Sequence, residues 1–257
     1  MNPFARLRAG QRRQLLVWAA ITAALCALLA ASAPSRAATT GSGNPASETR
    51  VATGFQAISL RGSINLVVRQ GATESVTVRA DDNILALVQT LVEGSGDART
   101  LRVQFKPGES LRSKTPVVVT VDVIKLRAMA SSGAGDISVE ALTTPALSLS
   151  ISGSSDAKLS QLDTELLTIS IAGSGDVQAS GRATRLDVSI AGSGDVRARE
   201  LAAADVSVSI AGSGDASVTA QKTINVTIAG SGDVEYGGSA TLVKRIAGSG
   251  SVRQRQP

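Results

Sequence analysis

The chain has 257 residues, with 26 Lys and Arg against 21 Asp and Glu, one Cys, one Trp and no His. Five arginines (6, 8, 12, 13 and 36) precede Ala38, so the rest of the chain carries 21 charges of each sign and the basic excess says nothing about nucleic acid. The lack of His, and a single Cys26 set in an apolar run, exclude Ser-His and Cys-His nucleophiles, the usual zinc sites and a disulfide framework.

Residues 1–37 read as a secretory signal: arginines first, an apolar stretch from Leu15 to Ala31, then small residues ending at Ser35-Arg36-Ala37. Leu25 is too bulky to precede a lipidated Cys26, and Arg12-Arg13 with Leu15-Leu16 loosely resembles a twin-arginine signal. An uncleaved anchor is the alternative, since Leu15 to Ala33 is just long enough to cross a bilayer. The expected setting is the periplasm or outer surface of a bacterium. Residues 38–50 read as a flexible linker. An exported chain without disulfides must hold itself by burial and backbone hydrogen bonds, for which roughly 220 residues suffice.

Residues 51–127 read as a non-repetitive β-rich part. Ser63 to Arg69 and Ser75 to Val78 alternate around Gln70-Gly71, and Thr100 to Phe105 and Val117 to Val123 come next. A short helix opened by Asp81 or Asp82 is expected between Ala80 and Leu91. Gly94-Ser95-Gly96-Asp97 has no repeat around it and reads as a hairpin turn. This part is expected to cap the N-terminal end of a repeat that begins at residue 128.

Residues 128–252 are that repeat. Gly-x-x-Asp recurs with its first glycine at 133, 153, 173, 192, 212 and 230, and a degenerate copy starts at Gly248. Apolar residues alternate toward each turn, as in Leu167, Ile169, Ile171 or Leu186, Val188, Ile190, and a shorter alternation comes after each Asp. Period two means half-buried strands. One unit of 18–20 residues cannot cover its own apolar face, so units must stack in register, isoleucine on isoleucine. The expected fold is all-β: a parallel solenoid of about six coils, right-handed by the crossover rule. Gly153, Gly173, Gly192, Gly212, Gly230 and Gly248 are the expected structural turns, because a corner needs positive φ and no Cβ. In the last copy Lys244 and Arg245 interrupt the alternation and Ser251 replaces Asp, as expected of a cap that blunts an open sheet edge. Residues 253–257 read as a tail.

Ile-Ala-Gly-Ser-Gly-Asp-Val at 171–177 and 190–196 resembles the signature of a bacterial domain of unknown function, the putative auto-transporter adhesin, head GIN domain. The resemblance covers about residues 51–252 and implies a β-helical fold in an envelope or extracellular setting. These 257 residues contain nothing that reads as the membrane-spanning barrel of a true autotransporter.

The candidate metal ligands are Asp136, Asp156, Asp176, Asp195, Asp215 and Asp233, one per coil, which stacking would bring near the strand spacing. Ca²⁺ bridging adjacent coils is one reading; the other is that each carboxylate accepts N–H groups of its own corner. The second is preferred, since one carboxylate per coil is too few for an all-protein calcium site. No other cofactor is implied. The outward column Ser150, Ser170, Ser189, Ser209 and Thr227 is a polar face for a glycan or protein, or simply the wet side of the sheet. Arg197, Arg199 and Glu200 form the densest charge cluster. No catalytic residues are assigned: a regular carboxylate column is unlike an active site, which is a single irregularity. The functional expectation is an exported, noncatalytic interaction module for an unidentified envelope protein or glycan. The alternatives are a β-helical enzyme acting on envelope polysaccharide and a calcium-stabilised structural element.

Overall fold

The computed structural model describes residues 38–256, so the expected signal at 1–37 lies outside the described residues. Thr39–Pro257 forms one compact unit around a continuous apolar core that runs from Ala52 to Tyr236. The repeat folds as its periodicity requires. Strands Ala128–Gly133, Leu142–Gly153, Ala157–Gly173, Val177–Gly192, Val196–Gly212, Ala216–Gly230 and Thr241–Gly248 are stacked parallel and in register. Ile151, Ile171, Ile190, Ile210 and Ile228 lie one above another and are buried. At the strand spacing of about 4.8 Å, each such side chain is covered above and below, and its burial contributes about 1.5–3 kcal/mol.

The corners explain the glycines. Gly173 has φ +144°, and a Cβ there would lie 2.2 Å from the Gly153 carbonyl oxygen in the coil below. The second glycine of each turn is excluded from bearing a side chain by stacking alone: a Cβ on Gly194 would lie 2.2 Å from the Gly175 oxygen and 3.0 Å from Ile171 Cγ2. One coil breaks this rule and compensates for it. Ser155 occupies the second glycine position, and the core position that would meet its Cβ holds Ser131 where the coils above hold isoleucine. The two hydroxyls are buried and 2.8 Å apart, so each satisfies the other.

The N-terminal part is not merely a cap, because two further coils of the same ladder are built from it, out of chain order. Strand Ala57–Gly62 pairs in parallel with Ala128–Gly133, setting Gly62 under Gly133, and Asn65–Gln70 pairs with Ile137–Val139. Beneath these lie Thr100–Phe105 and Val118–Val123, again parallel. The chain thus lays down 57–70, drops below it for 100–123, then passes over it to begin the repeat at 128. The remaining strands close the lower end. Val88–Glu93 pairs antiparallel with Thr100–Phe105, which makes the 94–97 segment the connection of a hairpin. Ser75–Asp81 pairs antiparallel with Val118–Val123, and Pro45–Arg50 with Ser75–Asp81.

Two expectations are corrected by this pairing. Residues 38–50 are not a flexible linker, since Pro45–Arg50 is an edge strand of the sheet and Thr39–Thr40 pairs with Leu111–Arg112. The tail begins later than residue 253, because Val252–Gln254 pairs with Val234–Tyr236. The short helix forms where expected, over Asp82–Leu85 with Asp81 at its N-cap position, although the Asp81 side chain makes no capping hydrogen bond. That carboxylate, fully buried, instead ties the first loop to a second: it accepts from Lys114 N at 2.8 Å, Thr115 Oγ1 at 2.9 Å, Ser113 Oγ at 3.0 Å and Gly43 N at 3.2 Å. Burial pushes its pKa up, but hydrogen bonds from Lys114, Thr115 and Ser113 more than offset this and hold it below the usual carboxylate value.

Candidate functional site

The aspartate column forms as stacking requires, and from Asp156 upward its carboxylates accept backbone N–H groups, whereas Asp136 at its foot takes part in these bonds only through its own N–H. Asp156 Oδ1 accepts the N–H of Asp176 at 2.9 Å, Asp176 that of Asp195 at 3.1 Å, Asp195 that of Asp215 at 3.0 Å, and Asp215 that of Asp233 at 2.7 Å. Asp233 accepts the N–H of Ser251 at 2.7 Å, ending the series. The donors therefore come from the next coil and not, as the sequence suggested, from each residue's own corner. The physical reason lies in the corner geometry. The residue after each Asp already donates to the Asp carbonyl one coil up, as Val177 does to Asp195, leaving the N–H of the upper Asp to find a side-chain acceptor. Asn65 does the same for Asp136 N at 3.0 Å, which marks 62–65 as a corner of the series that sequence reading missed. The signal was present as Ile58, Leu60, Gly62 and then Asn65, Leu66, Val68, hidden because Asn stands where the repeat has Asp.

In the middle of the column Arg197 pairs with two of the remaining carboxylate oxygens. Its guanidinium donates to Asp176 Oδ2 at 2.9 Å and Asp195 Oδ2 at 3.1 Å. Asp176, then Asp195 and Asp156, push the Arg197 pKa above its ordinary value. Asp233 is held below the usual range by the Ser251 side chain and N–H beside its carboxylate, with Arg253 adding a smaller push. Among the described residues, no group of three or more His, Cys, Asp or Glu side chains is placed to hold a metal ion.

Arg197 also lies in a groove along the coils, a cavity of about 660 Å³ lined by Gln178, Arg197, Ser217 and Glu235 on the strands after the corners, with Asp195 and Asp215 on one side. The other wall comes from a mismatch in coil length. The coil starting at Gly192 is two residues longer than the one above it, and the register slips between Ala198 and Ala202. Leu201 turns inward and is buried, while Arg199 and Glu200 are pushed outward. Arg199 reaches Glu235 at 2.8 Å, and its carbonyl accepts Thr219 Oγ1 at 2.8 Å. The charge cluster seen in sequence is thus a wall of alternating sign. The Ser150, Ser170, Ser189, Ser209, Thr227 column runs in register along the strand that precedes each corner. Bulge and column are both fixed by the ladder beneath them.

Fold and site together define a parallel β-solenoid with cross-linked Gly-Ser-Gly-Asp corners and a charged groove on one flank. The chain belongs to the family described as putative auto-transporter adhesin, head GIN domain, which it matches over residues 54–240. Among solved structures, it is similar to a putative adhesin from Bacteroides fragilis, with TM-score 0.77 and 24% identity over 84% of this chain and 100% of that one. A putative adhesin from Parabacteroides distasonis aligns with TM-score 0.68 and 26% identity over 85% and 100% of the two chains. A putative lipid binding protein from Parabacteroides distasonis aligns with TM-score 0.69 and 24% identity over 86% and 100%. No curated protein matches the chain. The protein is a member of an adhesin-like family with the solenoid fold.

Proposed function

We propose that this protein is an exported, noncatalytic interaction module of the cell envelope, acting in the periplasm or at the outer surface, with the groove around Arg197 as its contact surface. The observation that carries this reading is the commitment of the aspartate column. Carboxylates committed to backbone N–H groups and an arginine serve the stack, whereas a general acid for polysaccharide cleavage must be free to pass a proton to its substrate. The carboxyls that shift clearly, Asp81, Asp163 and Asp233, are all lowered. A groove of alternating charge, fixed by stacked coils, instead supports orientation-specific contact with a polar partner, an envelope protein or glycan.

The test uses the compact unit 39–257. Saturable binding to isolated envelope fractions is expected, weakened at least about tenfold by Arg197→Glu with Arg199→Glu, a loss matching truncated charge contacts at an interface. Incubation with a panel of envelope polysaccharides is expected to release no product. Cleavage that disappears in Asp176→Asn or Asp195→Asn would overturn the noncatalytic reading, and envelope binding indifferent to the double substitution would remove the groove from it.

A further inference from the structure

The last coil departs from those below it by inverting its alternation. The outward column Thr168, Asp187, Ser207, Asn225 is polar until it reaches Val243, which is 55% exposed. The inward column Ile169, Val188, Val208, Val226 is apolar until it reaches Lys244, and the Ser/Thr column ends at Arg245. Ile246 continues the buried isoleucine stack, yet is 38% exposed because no coil among the described residues lies above it. Charge changes at the same place. From Tyr236 to the end of the chain there are four cations, Lys244, Arg245, Arg253 and Arg255, and no Asp or Glu. Arg255 lies 3.7 Å from Glu235, whereas the side chains of Lys244 and Arg245 make no hydrogen bond or ion pair among the described residues. The carboxylate column itself stops at Ser251.

Protection of an open edge accounts for Lys244, because an inward charge on the final strand blocks further pairing. It does not account for Val243 moving outward beside Arg245 and Ile246. A second copy of the chain is a poor occupant. Stacked tail to tail it would oppose Lys244 and Arg245 with their like. Stacked head to tail it would meet edge strands Val88–Glu93 and Pro45–Arg50, whose acids are already taken by Arg102–Glu93 and Arg50–Glu48 pairs. Unpaired cations beside exposed apolar side chains, with no acid among them, complement an anionic lipid surface.

We propose that the C-terminal coil docks on an anionic lipid bilayer. Lys244 and Arg245 meet the headgroup phosphates while Val243 and Ile246 enter the interfacial layer. The solenoid then stands on its C-terminal end with the Arg197 groove on its flank, free for a partner. This inference does not depend on the groove, and its variants leave Arg197 and Arg199 intact.

The experiment is co-sedimentation of the 39–257 unit with phosphatidylcholine vesicles, with and without phosphatidylglycerol. Binding is expected only with phosphatidylglycerol, and is expected to weaken from low salt to about 0.15 M as the Debye length shortens. Lys244→Gln with Arg245→Gln is expected to reduce the affinity by about 25-fold, at about fivefold per cation near an anionic surface. Val243→Asn should reduce it further without changing the salt dependence. Melting of each variant, read by circular dichroism, separates lost binding from lost fold, and Arg245→Gln alone, in register with the outward Thr227 and expected to cost about fivefold, serves where the double variant melts early. Equal binding to phosphatidylcholine alone, no binding at low salt, or binding unchanged in every variant would overturn the proposal. So would variants that self-associate while the wild type ignores vesicles, since the cations would then serve the edge only.

Discussion

The repeat at 128–252 and the two coils built from 57–123 reach the same stacked geometry by different routes. In the repeat, each coil comes directly after its neighbour in sequence, and identical spacing sets the register one step at a time. In the lower part, strand Ala57–Gly62 is sandwiched between Thr100–Phe105 and Ala128–Gly133, so its register waits on segments some 40 and 70 residues away. The first arrangement tolerates little change at a corner, because every corner is both roof and floor. The second is held by side chains found once, such as Asp81 and its donors.

The middle of the ladder is the most sensitive to substitution. Ile190→Asp puts an unpaired charge between Ile171 and Ile210 and should cost more than the about 2–5 kcal/mol expected of Ile190→Ala. Near-wild-type melting of the Asp variant would show that Ile190 does not face the core. Gly194→Ala should also be severe, lowering the melting temperature well beyond the change caused by Gly71→Ala. Gly194 has backbone oxygen 2.2 Å from the added carbon, while Gly71 has nothing nearer than 3.8 Å and should change stability by no more than about 0.5 kcal/mol. Similar losses at both sites would deny that stacking, rather than chain flexibility, dictates the glycine.

Ser131 and Ser155 share one space inside the repeat. Ser131→Ile alone should destabilise by about 1–3 kcal/mol through overpacking against the Ser155 side chain. Adding Ser155→Gly should recover that loss, a non-additivity visible in a double-mutant cycle of denaturant melts. Simple additivity would mean the two positions do not share space. Acid is a gentler probe. Asp81 and Asp233 have folded pKa values below the unfolded carboxylate value of about 3.9, so their contribution is complete above that pH and is lost as the pH falls through the folded values. At neutral pH the melting temperature should fall only slightly in Asp195→Asn, because Asn65 already shows that an amide oxygen can accept the same N–H. Smallest of all is the effect of chelator: melting of the 39–257 unit should not move, whereas a drop restored by Ca²⁺ would revive the bridging role for the column.

What could be read from residues alone was whatever repeats. Period-two alternation and constant spacing between glycines specify strands, stacking and register together, because a coil with one apolar face has a single partner that fits it, its own copy. The aspartates announced a column by the same logic, and Arg197, Arg199 and Glu200 stood out as a cluster. Contacts between segments that do not resemble each other were hidden. Nothing local in 38–50 signals that Pro45–Arg50 closes a sheet edge, since an edge strand exposed on one side needs no apolar pattern. That 57–70 lies between two later segments, that Arg197 bridges two carboxylates, and that a two-residue difference in coil length lifts Arg199 and Glu200 into a groove wall were decided by tertiary structure. Each depends on which backbone groups remain unpaired once the coils are stacked, and that inventory exists only in three dimensions.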